Sequence, residues 1–87
     1  IPISFPGVVL KVGSAGEYVK VIQQQLNAIS QNYPLIPKLV VDGAFGESTA
    51  ASVRVFQQVF GLPVTGEVNY PTWYRISEIF TAVQGLA

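Results

Sequence analysis

Asp42 and Gly43 open the stretch whose residue types and spacing point most directly to chemistry, Val41-Asp42-Gly43-Ala44-Phe45-Gly46-Glu47-Ser48-Thr49. An Asp side chain accepts hydrogen bonds from backbone amides two residues on, and a following Gly supplies the positive φ of a tight turn. A loop ordered in this way can present its carboxylate and nearby amides to the hydroxyls and amides of a polar ligand. The phrase returns twenty-three positions later as Val64-Thr65-Gly66-Glu67-Val68-Asn69-Tyr70-Pro71-Thr72. Val, Gly and Thr keep their slots, and an apolar residue follows each Gly by two. A turn-then-helix unit used twice marks a small repeat-built module.

Acid–base chemistry has less to work with. Cleavage of a glycosidic bond needs one or two carboxylates across a cleft, and Glu17, Asp42, Glu47, Glu67 and Glu78 are the candidates. Glu17 is accounted for by helix capping and Glu47 by the first turn of a helix. Glu67 falls in a turn, and Glu78 lies off an apolar stripe. None stands in the apolar setting that raises a carboxyl pKa. With no Cys and no His, thiolate or imidazole zinc sites, disulfides and nucleophile–imidazole pairs are excluded. No catalytic residue, metal ligand or cofactor site is expected.

The elements that must position the turns follow from apolar spacing. Val19, Ile22, Leu26 and Ile29 form one stripe of a helix at roughly 15–31, with Ser14 as N-cap and Glu17 completing a capping box. Pro34 and Pro37 close it off. Ala50, Val53, Phe56 and Phe60 mark a second helix at roughly 47–60, and Gly61 fits its left-handed C-terminus. Pro71 suits the first turn of a third, roughly 70–84, striped by Trp73, Ile76, Phe80 and Val83. The helices align as well: Val19-x-x-Ile22-Gln23 matches Val53-x-x-Phe56-Gln57. Three one-faced helices bury those faces only against each other. The expected fold is all-α, a compact three-helix bundle with two structured Gly-containing turn loops and a pseudo-repeat. A short hairpin, Lys38–Val41 with Ala44–Phe45, is the rival for the first loop. Residues 1–9 read as an extended lead-in, with Val9 or Leu10 pinning it; 10–84 form the domain and 85–87 a tail.

Bulk properties agree with a single domain. The 87 residues are 49% hydrophobic and 11% charged, with five cations balancing five anions. The cations are scattered, so nucleic-acid binding has no electrostatic footprint, and a partner of neutral or mixed charge is expected. Apolar runs are far too short for a membrane span. The chain starts at Ile1, as a processed or excised piece of a longer protein would, so the lack of a leader says nothing about destination.

Leu10, Gly13, Gly16, Val19, Ile22, Gln23 and Leu26, then Asp42, Gly43, Phe45, Gly46, Thr49, Val53, Phe56 and Gln57, then Gly61, Leu62, Pro63, Val64, Gly66, Val68, Thr72 and Trp73 stand in one ordered pattern. In that order and spacing the chain resembles the three-helix peptidoglycan-binding domain attached to bacterial cell-wall hydrolases, over roughly residues 10–80. Thr65 replaces a second Asp of many members and Asn69 a Gly, and both can still bond within the turn. The 32–41 segment is longer than in compact members and is similar to versions in wall-associated proteins of spore-forming Gram-positive bacteria.

The resemblance implies a non-catalytic module, extracellular in the cell wall or spore envelope. It would target an attached hydrolase or wall protein to the glycan strand or stem peptide of murein. A monomeric unit, used in tandem with similar domains, is expected. The rivals are a protein-docking or prodomain-like use of the same fold and, further off, a small cell-wall glycosidase. The candidate binding residues are Asp42, Gly43, Gly46, Arg54, Gln57, Thr65, Tyr70 and Trp73. Tyr70 is the better candidate for an exposed platform under a sugar ring, with Tyr33, Tyr18 and Tyr74 as further possibilities, and either Arg54 or Arg75 is a partner for a stem-peptide carboxylate. Trp73 is either core or a stacking surface, and Gln57 either a tie to the loop or a solvated flank. Phe45 and Val68 are expected as core anchors, Thr49 and Thr72 as structural.

Overall fold

In a computed structural model that describes residues 4–85, three helices follow one another: α1 (Glu17–Ser30), α2 (Glu47–Val59) and α3 (Tyr70–Gln84). The expected stripes are what they bury. Val19, Ile22, Leu26 and Ile29 of α1, Ala50, Val53 and Phe56 of α2, and Trp73, Ile76 and Val83 of α3 make the core, with Phe60 and Phe80 half-buried at its edge. The central helix is α1, which packs against both α3 and α2. No helix among the described residues is long and apolar enough to cross a membrane. Residues 1–3 of the expected lead-in and 86–87 of the expected tail lie outside the described residues.

No strand forms among the described residues, so the hairpin alternative fails. Ala44 pairs instead with Ala15 in an isolated antiparallel bridge, and Val68 pairs with Leu10 in another. In both copies the residue two places after the turn Gly donates its amide to the chain ahead of α1. Phe45 N donates to Ser14 O at 2.9 Å and Val68 N to Leu10 O at 2.8 Å, while the buried Phe45 and Val68 side chains anchor below. Leu10, rather than Val9, is the residue that enters the core.

The capping box is corrected by the structure. Gly16 is the N-cap of α1, with φ 128°, and no side chain caps the helix. Ser14 is committed elsewhere: its hydroxyl accepts from Lys11 N at 3.0 Å in a tight 11–14 turn, and its carbonyl pairs with Phe45. Glu17 instead starts the helix, where its charge complements the dipole, and pairs with Lys20. The other ends behave as expected. Gly61 takes φ 73°, and Leu62 N reaches back to Gln57 O at 2.8 Å, closing α2 in a Schellman motif. Asn69 caps α3 by accepting from Thr72 N at 3.1 Å.

Ahead of the Asp42 turn, the long 31–46 connection is tied to the core and to both helices. Ile36 plugs the core at 2% exposure. Asn27 of α1 pairs with Leu39 as a strand would, donating to its carbonyl at 2.8 Å and accepting from its amide at 2.7 Å. Ser52 of α2 donates to Pro37 O at 2.7 Å. The loop is therefore fixed to both helices it joins.

At the start of α3, the Phe5 ring meets the Trp73 and Tyr70 rings edge-on at 6.0 and 5.8 Å, and Phe5 N donates to Tyr74 Oη at 3.3 Å. Trp73 itself is 2% exposed. Removing so large a buried ring leaves a cavity, so Trp73→Ala is expected to cost about 3–5 kcal/mol. Urea unfolding followed by circular dichroism checks this; a midpoint unchanged from the parent chain would contradict the burial.

Candidate functional site

Each turn is tied to the preceding helix by one buried glutamine. The Gln23 amide nitrogen donates to Asp42 Oδ1 at 3.1 Å, Ala44 O at 3.1 Å and Thr49 Oγ1 at 3.2 Å. Its oxygen accepts from the amides of Asp42 and Gly43 at 3.1 and 2.9 Å. Gln57 repeats the pattern atom for atom. Its nitrogen donates to Thr65 Oγ1, Glu67 O and Thr72 Oγ1 at 3.1, 3.0 and 3.1 Å, and its oxygen accepts from Thr65 N and Gly66 N at 2.9 and 3.0 Å. A primary amide is the side chain suited to this place, since it offers donors and an acceptor from one planar group. The neighbouring Gln24 and Gln58 are exposed.

The two turns differ in charge. Asp42 Oδ1 accepts from Ala44 N at 2.9 Å as well as from Gln23. Those bonds, with the Ala44 amide foremost, hold the Asp42 carboxyl below its ordinary value of 3.8. Thr65 makes the equivalent bonds with a neutral hydroxyl, which accepts from Gln57 and from Glu67 N at 3.1 Å. The replacement preserves the turn and deletes the charge.

Above each turn lies a cation, three residues before the glutamine. A Cβ on Gly43 would stand 3.3 Å from Lys20 Cγ and 3.2 Å from Gly16 O. One on Gly66 would stand 3.0 Å from an Arg54 guanidinium nitrogen and 3.3 Å from Arg54 Cγ. Both glycines have φ of 76°, so any side chain there would be strained as well as crowded.

Two open depressions flank the start of α2. The first, about 370 Å³, is lined by the first turn with Asp42, Ala44 and Gly46, by Lys38–Val40, and by Glu47–Thr49 above Gln23. The second, about 300 Å³, lies between Lys11-Val12, the α2 side chains Glu47, Ala50 and Arg54, and the Thr65–Glu67 turn. Glu47 belongs to both walls, so the two depressions adjoin at that residue, and together they are referred to as the furrow.

A scan of family models matches residues 15–76 to the family described as "Putative peptidoglycan binding domain". The chain belongs to that family. Among solved structures, the SleB N-terminal domain superposes with a TM-score of 0.75 at 32% identity, covering 88% of this chain and 99% of that one. A search of curated proteins gives no match.

Of the residues singled out from the sequence, Asp42, Gly46, Arg54 and Thr65 line the furrow. Gly43 is buried under Lys20, and Gln57 is wholly buried with its amide engaged. Trp73 has no face open to a sugar. Gly43, Gln57 and Trp73 are thus buried and do not contribute to the open surface. Tyr70 is 62% exposed and pairs with Tyr74 at 4.7 Å, but it lies away from both depressions. The sequence reading passed over Lys11, Lys38, Lys20 and the shared position of Glu47. Extending the helix alignment to the slot between Val and Ile would have paired Lys20 with Arg54.

Gln57→Leu is expected to destabilise by roughly 3 kcal/mol or more, because it strands several buried donors and acceptors of the second turn. Gln58→Leu, on the exposed side, should stay within about 0.5 kcal/mol. Denaturant midpoints of the two variants compare these directly, and equal losses would contradict the tie. Asp42 adds a pH signature. Its folded pKa is lowered, so its contribution is complete above the ordinary value of 3.8 and disappears as pH falls through the lower folded value. Thermal melts across this acid range should show a steeper loss for the parent chain than for Asp42→Asn.

Proposed function

We propose that this chain is a non-catalytic module that holds an attached hydrolase or wall protein on bacterial peptidoglycan, outside the cell in the wall or spore envelope. The observation that carries the reading is the furrow. Two copies of a rigid turn stand on either side of one helix start and share Glu47, in a chain of the peptidoglycan-binding family. Asp42, Gly46, Arg54 and Thr65 provide the contact surface, and Gln23, Gln57 and Gly43 fix it in place.

The chemistry of the furrow favours binding over cleavage. Asp42, held below its ordinary pKa by its hydrogen bonds, stays ionised at neutral pH and has no proton to give to a leaving group. An open, polar surface with few buried contacts gives weak affinity, about micromolar to millimolar. Tethering beside similar domains would convert such weak sites into firm attachment.

Sedimentation with insoluble peptidoglycan tests the proposal. The chain should pellet with the polymer at low salt and leave wall suspensions turbid. Arg54→Ala should reduce the pelleted fraction, whereas Tyr70→Ala, outside the furrow, should retain it. A folded chain that stays in the supernatant would favour a protein-docking role, and clearing of the suspension would favour an enzyme.

A further inference from the structure

The charges of this protein are few and unevenly used. Five cations and five anions are present, all among the described residues. Two ion pairs take up Glu17 with Lys20 at 3.8 Å and Arg75 with Glu78 at 3.4 Å. The charges left are Lys11, Lys38, Asp42, Glu47, Arg54 and Glu67, and every one of them lines the furrow. None forms an ion pair with another, although opposite signs share each depression.

The divergence of the two repeats explains how this arises. In the first copy, Asp42 is a free anion at the turn, while the overlying Lys20 is paired with Glu17. In the second, Thr65 leaves the turn neutral, while the overlying Arg54 has no such partner because Ala51 stands where Glu17 does in the first copy. The first depression therefore carries Asp42 and Glu47 with Lys38, and the second carries Arg54 and Lys11 with Glu67 and the shared Glu47. No aromatic side chain lines either depression, and the exposed Tyr70–Tyr74 pair lies elsewhere. A sugar ring would have no aromatic face to stack on here, whereas a ligand with a free amine and a free carboxylate can use both signs of charge.

We propose that the furrow recognises the peptide arm of the wall polymer, as a zwitterion lying across Glu47. A free amine of its diamino acid would seat at Asp42 and Glu47, and a carboxylate at Arg54 and Lys11. The proposal rests on the reading that this module binds peptidoglycan and assigns which part of that polymer it contacts. Arg54 suits the carboxylate end, since its stem is laid across Gly66 and its planar fork can engage both oxygens.

Chemical-shift titration of the labelled chain tests this with a synthetic stem tripeptide bearing a free amine and carboxylates, and with a peptide-free murein disaccharide. The tripeptide should move the amides of Asp42–Thr49 and Thr65–Glu67, and the disaccharide should not. Acetylating the amine should weaken binding roughly threefold in the parent chain and by less in Asp42→Asn, where Glu47 alone remains. Amidating the carboxylates should do the same in the parent and have a smaller effect in Arg54→Gln, where Lys11 alone remains. Lys11→Gln gives a second arm at the cationic end, and melting temperatures confirm that each variant is folded. Binding of the disaccharide at these amides, or indifference of the parent chain to both blocked peptides, would overturn the assignment. If insoluble peptidoglycan sediments the chain and the tripeptide moves nothing, the peptide assignment fails alone. If neither occurs, the wall-binding reading fails with it.

Discussion

One planar amide at the heart of each repeat determines where everything else goes. A buried primary amide is costly unless its donors and acceptor are satisfied, and a glycine-hinged turn has amides and carbonyls that need partners. Gln23 and Gln57 settle both needs at once. Each draws in the turn that follows it and also the Thr hydroxyl of the next helix, Thr49 or Thr72. Turn, helix start and preceding helix are thereby locked into one unit. The geometry leaves little room for side chains between each turn and the cation laid over it, and Gly43 and Gly66 meet that demand.

The scaffold tolerates divergence because the hydrogen bonds depend on atom placement and not on charge. Asp42 and Thr65 present an oxygen at the same point, one ionised and one neutral. Gly46 and Asn69 both precede a helix, yet only Asn69 supplies a side-chain cap. Substitutions of this kind leave the fold intact while changing what the surface shows to a ligand. A repeat-built domain can in this way acquire two unlike ends from two like parts.

Much of this architecture was legible in the sequence. The stripes of Val19–Ile29, Ala50–Phe60 and Trp73–Val83 identify three helices, and the repeated Gly with its apolar follower identifies the turns. The capping box was misread because α1 starts two residues beyond Ser14, after Gly16, and the Ser14 hydroxyl is taken by Lys11 N. Ile36 escaped notice because a lone apolar residue among prolines has no period to betray its burial. Asp42, Arg54 and Thr65 were named from motif and from positions off the apolar stripes, and they line the furrow, whereas Lys11 and Lys38 enter it only through the path of loops. Trp73 and Gln57 were named as possible contacts because residue type alone cannot say on which side of a surface a group will lie.

The central claim is that Gln23 and Gln57 are structural knots and their sequence neighbours are not. Solvent exchange of side-chain amide protons, read residue by residue in ¹⁵N-resolved spectra, measures this most directly. Those of Gln23 and Gln57 should exchange far more slowly than those of Gln24 and Gln58, which are open to water. Equal, rapid exchange at all four would mean that the turns are held by something else, and the account would have to be abandoned.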